Sequence, residues 1–131
     1  DRLVTKNLSF DIGAGDVVIN DLVVYNYTSI DGGAGKFVIK NGNINNLDYD
    51  MGAGDTNINA FINGSSEVDC GVGKLDLNLF NDMSSLSLDL SLGIGSVKVN
   101  GTDVVKDSVL GTGRNVIEID GGVGDININT K

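Results

Sequence analysis

The sequence predicts an all-β fold: a parallel β-helix-like solenoid of about six coils, formed by residues 1–131 as a single domain. Three observations predict it. A G-x-G tripeptide with an apolar middle residue recurs six times along the chain. Around each recurrence apolar and polar residues alternate with a period of two, which is typical of strands with one buried face. No segment shows the 3.6-residue periodicity of an amphipathic helix.

The G-x-G tripeptides define six repeat units, numbered here in chain order. Their first glycines are Gly13, Gly33, Gly52, Gly71, Gly93 and Gly122. The regular units are 19–22 residues long, which is too short for a strand-helix-strand crossover and suits one coil of a solenoid. The last step is 29 residues and contains an insertion loop at about residues 102–115. We expect this insertion either to cover one end of the stack or to project from its side.

Aligning the units on the first glycine gives three apolar columns, which we expect to face the core. Equivalent strands of successive coils then lie about 4.8 Å apart, so like side chains stack on like. The column three residues before the glycine contains Phe10, Ile30, Tyr49, Val68, Leu90 and Ile119. The column four residues after it contains Val17, Phe37, Thr56, Leu75, Val97 and Ile126. The column six residues after it contains Ile19, Ile39, Ile58, Leu77, Val99 and Ile128.

Glycine explains the corner between the two strands of each unit. A Cβ at a corner where neighbouring coils pack closely would clash or require a strained backbone angle. We expect the residue between the two glycines to point into the narrow end of the core. Between units, Asn41-Gly42, Asn63-Gly64 and Asn100-Gly101 predict turns, because Asn and Gly tolerate positive φ. Residues 1–8 are expected to contribute to a cap.

Composition excludes several classes of function. The net charge of −9, with 9 basic and 18 acidic residues, argues against nucleic-acid binding and against docking on anionic membranes. No apolar run approaches the roughly 18 residues that cross a bilayer. The absence of histidine removes imidazole-based catalysis and metal ligation, and a single cysteine excludes disulfides and CxxC zinc sites. We therefore expect no enzyme activity, no catalytic residue, no metal site and no cofactor.

Carboxylates form a column of their own two residues before the first glycine. It contains Asp11, Asp31, Asp50, Asp69, Ser91 and Asp120. Stacked carboxylates repel one another, so the column is consistent with weak cation capture. The alternative, which we favour, is that these side chains are solvated and accept hydrogen bonds from N–H groups of the glycine corner.

Two further polar columns have structural interpretations. Asp and Lys alternate at the position after the second glycine, which predicts cross-strand charge pairs and opposes a calcium row: Asp16, Lys36, Asp55, Lys74, Ser96 and Asp125. A column of asparagines predicts a ladder of stacked amides: Asn20, Asn59, Asn78, Asn100 and Asn129.

The cysteine and the aromatic residues are the other candidate site residues. Cys70 is expected to be an inert, semi-buried thiol. The aromatic residues outside the corner columns, Phe61, Phe80, Tyr25 and Tyr27, are expected to belong mostly to the core of a second face. Tyr25 and Tyr27 together form the one patch that we would examine for ligand stacking.

The unit from Asp50 to Asn59, DMGAGDTNIN, resembles the units of a known group of proteins. These are bacterial adhesin-like β-solenoid domains, related to the toast-rack domains of envelope-stress proteins. The resemblance covers nearly the whole chain. It implies a parallel β-helix-like fold carried on envelope-associated or membrane-anchored proteins, and it brings no catalytic residues. The 29-residue step and Ser91 depart from the regular pattern.

The resemblance implies a non-enzymatic structural or interaction module of the bacterial cell envelope. Its expected partner is a protein or a surface glycan. Two alternatives stay open: a regulatory, partner-binding domain of an envelope-stress protein, and a self-assembling β-helical scaffold. The chain starts at Asp1 without Met, so we expect it to be a segment of a longer precursor. A cell-surface or envelope-associated location is expected, with a cytoplasmic one as the alternative.

Overall fold

The computed structural model describes residues 2–131, which form an all-β structure, so the predicted class is confirmed. Asp1, the first residue of the expected cap, lies outside the described residues. The strands are β1 (Arg2–Asp11), β2 (Val17–Ile19), β3 (Asp21–Asp31), β4 (Phe37–Asn45), β5 (Leu47–Asp50), β6 (Thr56–Asn63), β7 (Ser65–Asp69), β8 (Leu75–Leu79), β9 (Leu86–Ser91), β10 (Val97–Val99), β11 (Thr102–Val104), β12 (Ser108–Leu110), β13 (Asn115–Asp120) and β14 (Ile126–Asn129). Within residues 2–131 the one helical element is a 3-10 turn, Met83–Ser85.

All fourteen strands belong to one sheet, and the sheet is mixed. Strands of the repeat units pair in parallel, whereas β11 pairs antiparallel with β10, and β12 pairs antiparallel with β9. The expectation of a uniformly parallel sheet is therefore wrong at one end. The physical reason is that the insertion folds back on the outer edges of unit 5.

Each unit contributes one strand before its glycine corner and one after it. We call the two sets the pre-corner row and the post-corner row. In space the pre-corner row runs β1, β3, β5, β7, β13, β9, and the post-corner row runs β2, β4, β6, β8, β14, β10. Bridges between the corners follow the same order, from Ala14 through Val123 to Ile94.

The units therefore stack in the order 1, 2, 3, 4, 6, 5. The expectation that successive units are neighbours holds for units 1–4 and is wrong for units 5 and 6. The long last step explains the difference. After β10 the chain lays β11 and β12 along the outer edges of unit 5 and then returns between units 4 and 5. Of the two placements considered for the insertion, the strand pairing favours the one that covers an end.

A third row of strands closes part of the remaining side. It consists of residues 2–5 of β1, 21–24 of β3, 42–45 of β4 and 60–63 of β6. The first residues of the chain thus belong to a terminal strand of the sheet rather than to a separate cap. The third row ends after β6, because unit 4 continues from β8 into a loop that contains the 3-10 turn Met83–Ser85 and not into a further strand.

The predicted apolar columns form the core. In the column six residues after the glycine, Ile39, Ile58, Leu77 and Ile128 have no exposed surface. Like residues are paired in register, Ile39 with Ile58 and Ile58 with Leu77. In unit 1 the equivalent Ile19 is only half-buried, because β2 has a neighbour on one side alone.

The expected orientation of the middle residue of the corner is wrong. These residues lie at the surface, and Ile94 is 73% exposed. The second glycine of each corner has positive φ, such as 122° at Gly35, and this turn places the preceding side chain outside. The residue before the first glycine takes the inward position instead, as the buried Met51 shows.

The predicted turns are confirmed at two of three places. Gly64 has a φ of 82°, and Asn100 and Gly101 have φ values of 52° and 80°. Asn41-Gly42, in contrast, lies inside β4, where the pairing with β6 shifts register between Ile39 and Gly42. Gly42 is needed there for space, since a Cβ would approach the Cβ of Ala60 to 3.1 Å.

Candidate functional site: an acidic face

Two rows of carboxylates cover the outer side of the pre-corner row. Residues two apart on a strand point to the same side of a sheet, so the predicted Asp column shares its side with the residues two positions earlier. In spatial order the first row is Asp11, Asp31, Asp50, Asp69, Asp120 and then Ser91. The second row is Ser29, Asp48, Glu67, Glu118 and Asp89. We call these nine carboxylates the acidic face.

The stacking order removes the interruption that the sequence shows in the Asp column. Ser91 belongs to unit 5, and unit 5 is the last of the repeat units in the stacking order that starts at unit 1. Asp69 therefore pairs directly with Asp120, and Ser91 stands at the end of the row. The sequence predicted the first row but missed the second, although the period of two that defines the strands would have placed Glu67 beside Asp69.

The acidic face has no basic partner in the described part of the chain. The ion pairs among residues 2–131 are Arg2 with Asp21 and Lys98 with Asp103, and both lie outside the face. The one neutral side chain that bonds to it is Tyr27, whose hydroxyl donates to Oδ2 of Asp48 at 3.3 Å. The negative charge of the face is thus left to solvent and to partners.

Desolvation, hydrogen bonds between neighbouring carboxyls and nearby like charges raise the pKa of two carboxyls of the first row. The pKa of Asp69 is raised to about 6 by partial burial, by a hydrogen bond shared with Asp120, and by the charges of Glu67, Asp120 and Asp50. The pKa of Asp31 is raised as well, first by a hydrogen bond with Asp11, then by desolvation and the neighbouring charges. In both cases the surroundings favour the protonated form of the carboxyl.

The favoured interpretation of the Asp column is wrong in one respect. The corner N–H groups donate to backbone carbonyl oxygens of the neighbouring unit, as Gly32 N does to Asp50 O at 2.6 Å and Gly121 N to Ser91 O at 2.7 Å. They do not reach the carboxylates. The column therefore carries its electrostatic repulsion without those compensating bonds.

Glu67, Asp69 and Asp120 come closest to a metal-binding arrangement. One carboxylate oxygen from each lies within 4.8 Å of the others. Carboxylate oxygens suit Ca²⁺ and Mg²⁺, but Ca²⁺ takes six to eight oxygen ligands. Three side chains on a flat sheet surface leave most of that shell to water. We therefore treat these three residues as part of the acidic face and not as a metal site.

The alternating column shows a different contact from the one expected. In spatial order it reads Asp16, Lys36, Asp55, Lys74, Asp125 and Ser96, so the alternation of sign continues once unit 6 precedes unit 5. The aspartates accept backbone N–H groups of the next unit: Lys36 N donates to Asp16 at 3.0 Å, and Lys74 N to Asp55 at 3.3 Å. No lysine ammonium in this column forms an ion pair within residues 2–131.

At the end of that column, hydrogen bonds of the same kind affect the ionisation of Asp125. Both the backbone N–H and the hydroxyl of Ser96 donate to Oδ1 of Asp125, at 3.2 and 2.9 Å. These hydrogen bonds, with the charges of Lys74 and Lys98, lower the pKa of Asp125. The pKa values of Asp125 and Asp69 are thus shifted in opposite directions, because Asp125 accepts hydrogen bonds from Ser96, whereas Asp69 is partly desolvated and lies among carboxyls.

The predicted amide ladder is present in the middle of the post-corner row. Asn78 Nδ2 donates to Asn59 Oδ1 at 2.9 Å, and Asn129 Nδ2 donates to Asn78 Oδ1 at 3.0 Å. Asn100 bonds instead to Thr130, because Asn100 lies in a turn with positive φ. These asparagines have a structural role, and Asn59 ties the ladder to the neighbouring unit, since its Nδ2 donates to Ile39 O at 3.0 Å.

The aromatic residues outside the columns are largely exposed, so the expectation that most belong to a second core face is wrong. Tyr25 is 61% exposed, Tyr27 45% and Phe61 42%. Phe61 and Phe80 stack edge to face with ring centroids 5.4 Å apart. They line a recess of about 460 Å³ beyond the end of the third row, which no sequence pattern predicted. The recess contains no carboxylate side chain.

The thiol of Cys70 is unsuited to chemistry. Its side chain packs against the core, and burial raises its pKa to about 11, with further contributions from Asp69 and Asp120. A thiol with that pKa is protonated at neutral pH and is a poor nucleophile.

Comparison of the chain with family models, with curated proteins and with solved structures gives no match. In residues 2–131 there is no helix of the length and apolarity needed to span a membrane. The acidic face is therefore the feature from which a function has to be argued.

Proposed function

We propose that the chain is a six-coil β-solenoid that acts as a non-enzymatic interaction module and binds a cationic protein surface through its acidic face. The observation that carries the proposal is the acidic face itself: nine carboxylates on one side of a sheet, without a basic partner among the described residues. Natural sheets usually avoid like charges directly opposite one another, since these are destabilising. A face with this electrostatic repulsion is best explained by a cationic partner that neutralises the carboxylates.

The solenoid is supported by the pairing of the repeat units. Equivalent strands pair in parallel and in register in both rows, and the corners form bridges between units. Such a stack holds the carboxylates at fixed intervals of about 4.8 Å along its axis. A rigid array binds with less loss of conformational entropy than flexible side chains on a loop.

The charge of the face favours a protein partner over a glycan. Lysine and arginine side chains can neutralise several carboxylates at once, and arginine can do so with two parallel hydrogen bonds. A neutral glycan can donate hydroxyl hydrogen bonds to the carboxylates but leaves their mutual repulsion in place, and an acidic glycan is repelled by them. We place the module in the bacterial cell envelope because of the resemblance of its units to envelope-associated domains.

No catalytic residue and no cofactor belong to this proposal. The carboxylates lie on an outer sheet surface, where no wall excludes water from a bound substrate. The recess lined by Phe61, Phe80 and Leu79 lacks acid or base groups among its side chains apart from Lys131.

The proposal is tested by titrating the protein with a deca-lysine peptide by calorimetry at several salt concentrations. We expect binding that weakens as salt rises, because exposed charges are screened. The variant Asp50→Asn/Glu67→Gln removes two charges from the acidic face. It should lower the affinity roughly three- to thirtyfold, since each of the two exposed charge pairs contributes a few tenths to about 1 kcal/mol.

The matched control is Asp82→Asn/Asp103→Asn, which changes the net charge equally outside the face. It should leave the affinity within about twofold of the unchanged chain. An equal loss in both variants means that only net charge matters and contradicts the proposal. Absence of binding at low salt contradicts it as well.

A further inference from the structure

Unit 6 lies in a slot that is formed by strands distant from it in sequence. The slot is the gap between units 4 and 5, with β7 and β8 on one side and β9 and β10 on the other. β13 pairs with both β7 and β9, and β14 pairs with both β8 and β10. The corner continues the join, since Gly73 N donates to Val123 O and Ile94 N donates to Gly122 O.

Unit 4 continues into unit 5 through residues 80–85, but within the described residues unit 6 supplies all of the strand pairing between them. No strand of unit 4 pairs with a strand of unit 5 in the described sheet. The side chains that fill the slot, Ile117, Ile119, Ile126 and Ile128, are all buried. Without them the slot has unpaired strand edges on both sides, about 9.6 Å apart, which is two strand spacings. Such edges bind an added strand by main-chain hydrogen bonds.

A short link carries the chain into the slot. β12 lies on the outer edge of β9 and β13 on its inner edge, so the four residues 111–114 cross over the start of β9. The crossing is close: Gly113 N donates to Leu86 O at 2.9 Å, and a Cβ on Gly113 would overlap the backbone of Ser85 and Leu86. Most of the link is exposed to solvent.

We propose that the slot also accepts unit 6 of a second copy of this chain, giving a dimer in which the two copies exchange residues 115–131. The register, the buried isoleucines and the main-chain bonds are the same whether unit 6 comes from the same chain or from the other. Only the path of the link differs, which is the condition under which exchange of an identical element costs little.

The link decides which form is populated. A short tether gives an effective concentration on the order of millimolar, so the closed monomer prevails at lower protein concentrations. The Cα atoms of Leu110 and Asn115 are paired with Leu88 and Leu86 across two strand spacings, which places them roughly 12 Å apart. Removing Thr112 and Gly113 leaves three Cα–Cα steps, which span at most about 11 Å even when extended. The shortened link cannot close over β9.

The first test compares the full chain with the variant that lacks Thr112 and Gly113, by light scattering after gel filtration. We expect the full chain to be monomeric at about 10 µM, well below the effective concentration of the tether, and the shortened chain to be a dimer there. A variant with two glycines added after Thr112 is the control and should be monomeric. A folded, monomeric shortened chain overturns the proposal.

The second test gives an answer even if the shortened chain does not fold. Ser65 and Val116 are partners in register on β7 and β13, and both are exposed. Parallel partners about 4.8 Å apart are within reach of a disulfide. The variant Ser65→Cys/Val116→Cys/Cys70→Ala is unfolded with reductant, refolded at about 10 µM and at about 1 mM, oxidised, and analysed on non-reducing gels.

Exchange predicts disulfide-linked dimers at the higher concentration and internally linked monomers at the lower one. The variant Ser65→Cys/Cys70→Ala, which has one cysteine, measures non-specific cross-linking and should give fewer dimers at both. If the double-cysteine chain yields only internally linked monomers at about 1 mM, the exchange does not occur.

Discussion

Asn81 shows how one side chain replaces a missing strand. The third row ends at β6, and the outer backbone edge of Ile62 faces no further strand. The side-chain amide of Asn81 takes both roles of a peptide group there: Ile62 N donates to its Oδ1 at 3.0 Å, and its Nδ2 donates to Ile62 O at 3.2 Å. Asn81 is only 4% exposed, so water is a poor substitute for these bonds.

The variant Asn81→Leu leaves the N–H and C=O of Ile62 without partners. We expect it to lower the free energy of unfolding by about 2–5 kcal/mol, because each buried unsatisfied group costs about 1–3 kcal/mol. Urea denaturation measures the change. Asn26→Ala, at an exposed position, is the control and should stay within about 0.5 kcal/mol. Equal stability of Asn81→Leu and the unchanged chain contradicts the assigned role.

Asp69 predicts how stability depends on pH. Its pKa is raised to about 6 in the folded protein from the usual 3.8, so the folded state binds this proton more tightly than the unfolded state. The stabilisation from protonated Asp69 is fully present below about pH 4 and is lost as the pH rises through about 6. The raised pKa of Asp31 acts in the same direction.

We therefore expect the Tm to rise when the pH is lowered from about 7 to about 5, as followed by circular dichroism. Asp69→Asn resembles the protonated form at every pH. It should raise the Tm at pH 7 and flatten the profile between about pH 4 and 6, whereas Asp82→Asn should not change its shape. A Tm of the unchanged chain that falls steadily over this range contradicts the prediction.

At the scale of elements, the glycine corner has two constraints, a positive φ and close packing against the neighbouring unit. In unit 1, at the end of the stack, the second glycine has only the first of them. Gly54 has a φ of 121°, and a Cβ on it would overlap the backbone of Gly35 in the neighbouring unit. Gly15 has a similar φ of 111°, but nothing lies within 4 Å of its Cβ position, because unit 1 has no neighbour on that side. The two positions therefore distinguish backbone strain from steric overlap.

Gly15→Ala should cost about 1–2 kcal/mol from the positive φ alone. Gly54→Ala carries the same strain and also forces adjacent units apart, so we expect it to cost at least about 2 kcal/mol more. Urea denaturation of both variants measures the difference. Equal losses of stability in the two variants would contradict the steric contribution. They would mean that adjacent units move apart at the corner without cost.

The inward columns could be predicted from the sequence because a period of two leaves one choice of face. Once Ile58 is inside, Asn57 and Asn59 must point outward, and the neighbouring units follow. The orientation of Ala53 could not be predicted in the same way, since a glycine with positive φ interrupts the alternation. The capping role of Asn81 could not be predicted either, because many other asparagines occur in similar positions of the sequence.

The order of the units was missed although the polar columns contain it. Placing unit 6 before unit 5 makes the Asp column continuous through Asp120 and leaves Ser91 at its end. The same change of order restores the alternation of sign in the Asp/Lys column through Asp125 and leaves Ser96 at the end of that column. Two independent columns thus indicate one stacking order. The apolar columns do not, because Val and Ile fit equally well beside any unit.

For the whole molecule, the two ends of the sheet differ. β11 and β12 cover unit 5, whereas β1 and β2 pair on one side only. Half-buried Phe10 and Val17 mark the uncovered end of the core. The acidic face runs from this end toward the covered one, so a partner that binds several of its carboxylates contacts several units simultaneously.

The place of unit 6 has a consequence for synthesis. A ribosome releases residues 86–104 before residues 115–129, so the strands of unit 5 leave the exit tunnel before their inner neighbours exist. A nascent chain at that stage can assemble units 1–4 one after another as each emerges. Unit 5 cannot join them until unit 6 has been synthesised. The final architecture is therefore completed only after the closing segment has been translated, and vectorial assembly from the amino terminus stops two units short.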